Sequence, residues 1–209
     1  MSNSGIIVFE DNKELGLYLH WNGGRDSVEA FLKYCKLTKK TGGFQCGMLS
    51  LAQVIKNWSI ELGNVIMNPF NHNSDNGIYI VDKKWNIIDR KKFNGIEQNE
   101  YNLEEILKDL DKSQPTDYQL GEEYFKGKFV NRKDIEIGDE VFVTSNIDYK
   151  TKKYKVIGTG IDKMVNGTRV KDIPYINSFG RLGYENNINN YLLEENYRVI
   201  KKNNSQLEE

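Results

Sequence analysis

Apolar positions along this chain of 209 residues recur with two different periods, and the change between them falls near residue 118. Gly5-Ile-Ile-Val-Phe9 is a short apolar run ending at Glu10-Asp-Asn-Lys13, whose residues favour a turn. Leu15-Gly-Leu-Tyr-Leu-His-Trp21 resumes it, so residues 5–21 read as a hairpin. Asn22-Gly-Gly24 breaks the strand, Asp26 is placed to cap a helix, and Glu29 three residues on completes a capping box. Val28, Phe31, Leu32 and Cys35 follow at i, i+3, i+4 and i+7, one apolar stripe of a helix. After Thr41-Gly-Gly43, the residues Met48, Leu51, Ala52, Val54, Ile55 and Trp58 repeat that spacing and predict a second helix over about 47–60. Asn64–Met67 reads as a brief strand or an extended link, and Asn71–Gly77 as a polar loop. Ile78–Val81 and Trp85–Ile88 around Asp82-Lys-Lys84 read as another hairpin. Leu103, Ile106, Leu107 and Leu110 mark a third helix that Gln114-Pro115 stops. The order β-β-α-α-β-β-α predicts an antiparallel sheet with helices on one face.

From Tyr118 onward the helical period disappears. Ile135–Val143, Tyr154–Ile157, Val170, Ile173–Ile176, Tyr191–Leu193 and Tyr197–Ile200 are short strand-like runs bounded by Gly and Asn, the pattern of a small barrel or curled sheet. The expected fold class is therefore α+β: an α+β domain over 1–117, an all-β domain over 118–202 and a disordered polar tail over 203–209. The stretch Ile137-Gly-Asp-Glu-Val-Phe-Val143 resembles the opening strand of SH3-like barrels, and that resemblance spans roughly residues 121–200. It implies binding through loops and exposed aromatics without naming the ligand.

Composition narrows the function classes. Lys and Arg total 29 against 30 for Asp and Glu, so no overall field draws the chain onto nucleic acid or anionic lipid. No apolar run approaches the roughly 18–20 residues of a membrane span, and no basic-then-apolar leader opens the chain, which predicts a cytoplasmic protein without membrane contact. Two cysteines, Cys35 and Cys46, are too few for a disulfide framework or a four-thiolate zinc site. His20 and His72 stand in no metal-ligand spacing, and 71–77 lacks the terminal Glu of an EF-hand, so no metal is expected. No phosphate loop, dinucleotide fingerprint or GxSxG elbow occurs, and neither a cofactor nor an enzymatic activity is expected.

Three places carry candidate chemistry. His20-Trp-Asn-Gly-Gly-Arg-Asp26 gathers an imidazole, an indole, an amide, a guanidinium and a carboxylate at a strand-to-helix turn. Its glycines admit close backbone approach, and the helix N-terminus with Arg25 suits an anion; His20, Trp21, Asn22, Arg25 and Asp26 are the binding candidates there. The plain alternative is a capped helix with a core tryptophan. The second place is Lys150-Thr-Lys-Lys-Tyr-Lys155, where Lys150, Lys152 and Lys153 would meet phosphates and Tyr149 and Tyr154 would stack on bases. Residues 124–202 carry 15 basic and 10 acidic side chains, in keeping with nucleic-acid contact through this half, although a lysine-rich hairpin is also an ordinary guard against edge aggregation. The third is Cys46 in Gly43-Phe-Gln-Cys-Gly47, a thiol at a helix N-terminus with His72 downstream, an arrangement similar to papain-like cysteine hydrolases. Only 26 positions separate the two, which favours a structural cysteine.

Tyr18–Cys35, with His20–Asp26 as its most distinctive part, resembles the opening of small accessory proteins of phages, plasmids and integrative elements of low-GC Gram-positive bacteria. Asp75-Asn-Gly-Ile-Tyr-Ile-Val81 and Trp85-Asn-Ile-Ile88 resemble the later part of the same family, so the resemblance covers about residues 5–115. It implies a setting rather than a reaction: a non-enzymatic inhibitor of host defence, anti-CRISPR-like, that binds and occludes a partner such as a CRISPR nuclease. A nucleotide-binding sponge for a defence signal and the Cys46/His72 hydrolase are the alternatives.

Overall fold

The computed structural model describes residues 3–60, 63–97, 101–144, 150–160, 162–165, 168–179 and 187–202. The chain divides into two compact units, Met1–Leu120 with Asn146–Lys150, and Gly121–Ser145 with Thr151–Glu209. Helices and strands are segregated between and within them, an α+β arrangement.

In the first unit β1 (Gly5–Phe9) and β2 (Asn12–Leu19) are followed by α1 (Arg25–Leu37), α2 (Phe44–Trp58), β3 (Gly63–Met67), β4 (Ile78–Val81), β5 (Ile87–Lys91) and α3 (Leu103–Ser113). The sheet order is β3-β2-β1-β4-β5. The expected antiparallel sheet is corrected at its centre, where β1 and β4 pair in parallel, Ile6 with Ile78 through Phe9 with Val81. Every residue of these two strands is buried, so both sheet faces must be covered, the usual condition of parallel pairs. Successive side chains alternate faces. On one side Phe9 meets Trp85 edge-on at 5.6 Å and leaves room for α2 only because residue 47 is glycine, whose added Cβ would stand 2.9 Å from the Phe9 ring. On the other, Ile6, Val8 and Ile78 form a cluster closed by Tyr18, Ile66 and Phe70, the last carried on a short turn at Pro69–Asn71.

Several boundaries differ from the sequence reading, and at α2 the reason is a cap supplied by a distant residue. Gly24 precedes α1, and Asp26 sits within its first turn, so the Asp26/Glu29 capping box does not form. Helix α2 starts at Phe44 rather than 47, because Asp11 in the β1–β2 turn accepts the Phe44 N–H at 2.9 Å. Strand β5 starts at Ile87 rather than Trp85; Asp82 accepts the N–H groups of Lys84 and Asn86, and Trp85 takes a positive φ within that turn. The helices are joined by Phe31 against Trp58 at 5.5 Å and by the Tyr34 hydroxyl, which donates to Asp111 Oδ1 at 2.8 Å. The same oxygen accepts the Leu120 N–H, so one buried carboxylate holds α1, α3 and the segment after it.

The second unit is built from β6 (Lys128–Asn131), β7 (Glu140–Thr144), β8 (Thr151–Thr159), β9 (Lys163–Val165), β10 (Thr168–Val170), β11 (Pro174–Phe179), β12 (Asn187–Tyr191) and β13 (Asn196–Ile200). The main sheet runs β12-β11-β8-β7-β13-β6, with β9 and β10 as a separate hairpin. The expected barrel is not closed among the described residues: β6 and β12 each pair on one side only. Side chains cover the faces instead. Ile135, Val141, Val156, Ile176, Leu192, Tyr197 and Val199 form the core on one face. On the opposite face Phe129, Arg198 and Phe142 stand in one cross-strand row, with Tyr124 edge-on to Phe142 at 5.4 Å and the buried Arg198 guanidinium 4.9 Å from the Tyr124 ring centre and 4.7 Å from that of Phe129. Contacts of this kind contribute about 0.5–2 kcal/mol each.

Gly138 has φ +96°, a conformation that favours glycine, and it aims the following Asp139 inward. Burial works against this carboxylate's charge, but the Glu136 N–H, the Lys201 ammonium at 2.9 Å and the Lys202 N–H outweigh it and hold its pKa below the ordinary value. A depressed folded-state pKa adds stability at pH values above the unfolded pKa of about 3.9, and that stability is lost as pH falls through the folded value. Asp139→Asn is therefore expected to lower stability at neutral pH and to flatten the acid limb of a chemical-denaturation series run from pH 7 down to about 2. Tyr34→Phe leaves the buried Asp111 short of one donor and is expected to cost about 1–3 kcal/mol in urea unfolding.

Candidate functional site

The turn that joins β2 to α1 is built by close approach of the chain to itself. Asn22 adopts φ +54°, Gly23 and Gly24 follow, and α1 begins at Arg25. The Gly23 N–H donates to the Asn3 carbonyl at 2.7 Å, and the buried Tyr79 hydroxyl donates to the Gly23 carbonyl at 3.0 Å. A Cβ on Gly23 would lie 2.1 Å from the Gly5 nitrogen, and one on Gly5 would lie 2.7 Å from the Gly23 oxygen. The backbone approach that the two glycines permit is thus filled by the first strand.

The polar loop at 71–77 is fixed to the same N-terminal segment, through Asn3 and Ser4. Ser4 donates through its N–H and its hydroxyl to Asp75 Oδ2, at 3.0 and 2.7 Å. The Asn76 N–H donates to the Ser4 carbonyl at 2.9 Å, and its side-chain amide donates to Asn3 Oδ1. Residues 20–26 and 71–77, some fifty positions apart in sequence, therefore meet around residues 3–5 at one end of the sheet and form one surface. Ser74 and Gly77 close the second loop on itself, with the Ser74 hydroxyl donating to the Gly77 carbonyl at 2.7 Å.

His20 and Trp21 project from this end with their rings edge to face, centroids 4.8 Å apart, and Trp21 is 47 % exposed. Arg25 is half exposed; its Nε donates to Glu29 Oε1 at 2.7 Å, and its Nη1 lies 3.8 Å from Glu97. These carboxylates, Glu29 first, raise the pKa of its guanidinium. Glu97 is shared with Arg90, whose guanidinium lies 3.5 Å from the Phe93 ring centre and 4.5 Å from that of Tyr79 while its Nε donates to the Asn76 carbonyl at 2.7 Å. Asp26 accepts the Ser27 N–H at 2.7 Å and the Tyr101 N–H at 3.1 Å, tying down a remote segment. The anion contact anticipated for this turn is met by the protein's own carboxylates. Arg90, Glu97 and Tyr79 were invisible in the sequence: Tyr79 and Arg90 read as ordinary positions of β4 and β5, Glu97 lies in the irregular segment after β5, and nothing local signs a shared arginine network.

The basic run divides. Lys150 groups with the first unit, its Nζ 3.7 Å from Asp117. Lys153 pairs with Glu123 at 2.8 Å and Glu140 at 3.2 Å, and these hydrogen bonds raise its pKa. Lys152 is exposed, whereas Tyr154 packs against the core cluster rather than presenting its ring outward. Tyr149 lies outside the described residues.

Cys46 is exposed in the first turn of α2, in a shallow hollow with Asp11, Asn12, Thr41 and Lys83. His72 Nε2 is 3.2 Å from the Met67 carbonyl, just past the Pro69–Asn71 turn that covers the sheet face opposite α2. The structure does not bring this thiol and imidazole together. Cys35 is buried in α1, and burial pushes its thiol up to about 12. Among the described residues no group of three or more His, Cys, Asp or Glu side chains is arranged to hold a metal ion, and no helix is long and apolar enough to cross a membrane.

Because the Gly23 and Gly5 backbones touch, Gly23→Ala is expected to destabilise the first unit by about 1–3 kcal/mol or more in thermal or urea unfolding. Gly24→Ala, whose nearest obstacle is a side-chain oxygen of Asp26 at 2.9 Å rather than backbone, is expected to cost less. In comparisons with known proteins, no family model, no curated protein and no solved structure matches this chain.

Proposed function

We propose that this protein acts by binding and covering a partner protein, through the sheet end that carries His20, Trp21 and Arg25. The observation that supports the reading is the exposed Trp21 on a turn whose backbone is pinned by Asn3, Gly5 and Tyr79. An exposed aromatic normally loses side-chain and loop freedom on binding; a turn already fixed loses less, which favours affinity. Tryptophan and arginine are the side chains most often found to dominate protein contacts. The partner class is a bacterial defence protein such as a CRISPR nuclease, an assignment that rests on the resemblance of residues 18–35 to mobile-element accessory proteins and places the protein in the cytoplasm of the host cell.

The nucleic-acid alternative has less behind it. Two of the three lysines expected to meet phosphates face carboxylates, and Tyr154 is partly buried against the core cluster. The hydrolase alternative lacks its paired groups, since Cys46 and His72 stand apart.

Affinity capture from a low-GC Gram-positive lysate tests the proposal when wild type, Trp21→Ala and Lys152→Ala are run in parallel. A partner held by wild type and Lys152→Ala, and weakened about tenfold or more by Trp21→Ala, is the expected result. Equal capture by wild type and Trp21→Ala, or a salt-sensitive shift of short oligonucleotides that Lys152→Ala abolishes, overturns it.

A further inference from the structure

The two edges of the first unit's sheet are treated differently. Strand β5 is guarded: a register shift interrupts its pairing with β4, the Asp89 carboxylate accepts the Arg90 N–H at 2.7 Å, and Lys91 pairs with Asp89 at 2.6 Å. Bulges and charges of this kind prevent edge-to-edge association. Strand β3, Gly63-Asn-Val-Ile-Met67, has none of these devices. It carries no charge and no register shift, and it exposes Val65 by 56 % and Met67 by 70 %.

The register of β3 defines what can be added to it. The Asn68 N–H donates to the Glu14 carbonyl at 2.7 Å, continuing the pairing of Leu15 with Met67. Residues directly opposite in an antiparallel ladder alternate between hydrogen-bonded and non-hydrogen-bonded pairs. Asn64 and Ile66 therefore direct their backbone groups toward β2, and Gly63, Val65 and Met67 direct theirs away from the sheet. No strand among the described residues pairs with that outer side.

We propose that this edge pairs with β3 of a second copy of the chain, antiparallel about a two-fold axis through Val65. That register sets Val65 opposite Val65 of the second copy, and Gly63 opposite Met67. All three are outward-facing positions, so the backbone groups meet in hydrogen-bonding phase. The Met67 carbonyl already has His72 Nε2 at 3.2 Å, so the bonds that matter are those at Val65 and those from the Met67 N–H to the Gly63 carbonyl. The long Met67 side chain falls opposite a residue with no side chain, where Leu17 and Ile55 lie 3.4 and 3.6 Å from the position a Cβ would take. A strand without charges brings no like charges together across the axis, and the isologous contact closes on itself as a dimer.

Sedimentation at concentrations up to about 1 mM, where even a weak contact is populated, is expected to show wild type approaching twice the chain mass. Val65→Lys, at an exposed position, is expected to remain folded by circular dichroism and to stay monomeric, because it places two ammonium groups face to face. In a Cys46→Ala background, mild oxidation of Val65→Cys is expected to give a covalent dimer, since opposed Cα atoms about 5.5 Å apart suit a disulfide. Met67→Cys is expected to give little, because it faces Gly63 and not itself. A monomer at every concentration, a Val65→Lys dimer, open-ended polymers, or cross-linking of Met67→Cys as readily as Val65→Cys each overturns the proposal.

Discussion

The pairing of β1 with β4 is the constraint from which the first unit follows. Two strands apolar at every position can be buried only between two layers, and a parallel neighbour cannot be reached by a tight turn. The chain meets both requirements at once. Between β1 and β4 it lays down α1 and α2 on one face, adds β2 and β3 to the sheet itself, carries the Phe70 turn to the other face, and then returns in the same direction as β1. The polar end of the sheet is a by-product of this route. It is where β1 begins, β2 ends and β4 begins, so three connections converge there and must satisfy one another's backbone groups.

Much of this was legible in the residues. The helical stripes at Val28–Cys35, Met48–Trp58 and Leu103–Leu110 all became helices, and the hairpin expected over 5–21 formed over Gly5–Leu19, with its turn at Glu10–Asp11 and His20 and Trp21 beyond its end. What escaped was non-local. Local pattern gives no hint that Asp11 would cap α2 or that β4 would lie parallel to β1, because each depends on residues tens of positions away. The same holds for the β-rich unit: strand-like runs marked β7, β8, β11 and β13 but not β6 or β9, and whether the sheet edges join is a matter of how its faces are covered. There the stacking of Tyr124 and Phe129 on Arg198 covers the second face.

The candidate surface follows the same division. His20, Trp21 and Arg25 drew notice because unusual side chains crowd a glycine turn, and the structure gathers them beside the 71–77 loop. The meaning of the glycines changed, from clearance for a ligand to clearance for Ser4 and Gly5. Arginines were harder to read. Arg90 and Arg198 look like ordinary strand residues in the sequence, yet each ends up layered on aromatic rings in its own unit. A planar guanidinium can pack as a flat hydrophobic-like slab while keeping its charge, a capacity lysine lacks.

The borrowed cap on α2 has a consequence for how the chain assembles. Gly-Gly-Phe-Gln-Cys-Gly is a poor sequence with which to begin a helix, for it offers no local acceptor to its own first amides and two flexible residues ahead of them. Its opening turn gains a partner only once the hairpin tip holding Asp11 has closed. Nucleation of this helix is thereby made conditional on a remote bend, so lengthening that bend by a residue or two would unwind a segment more than thirty positions downstream and leave the bend itself intact.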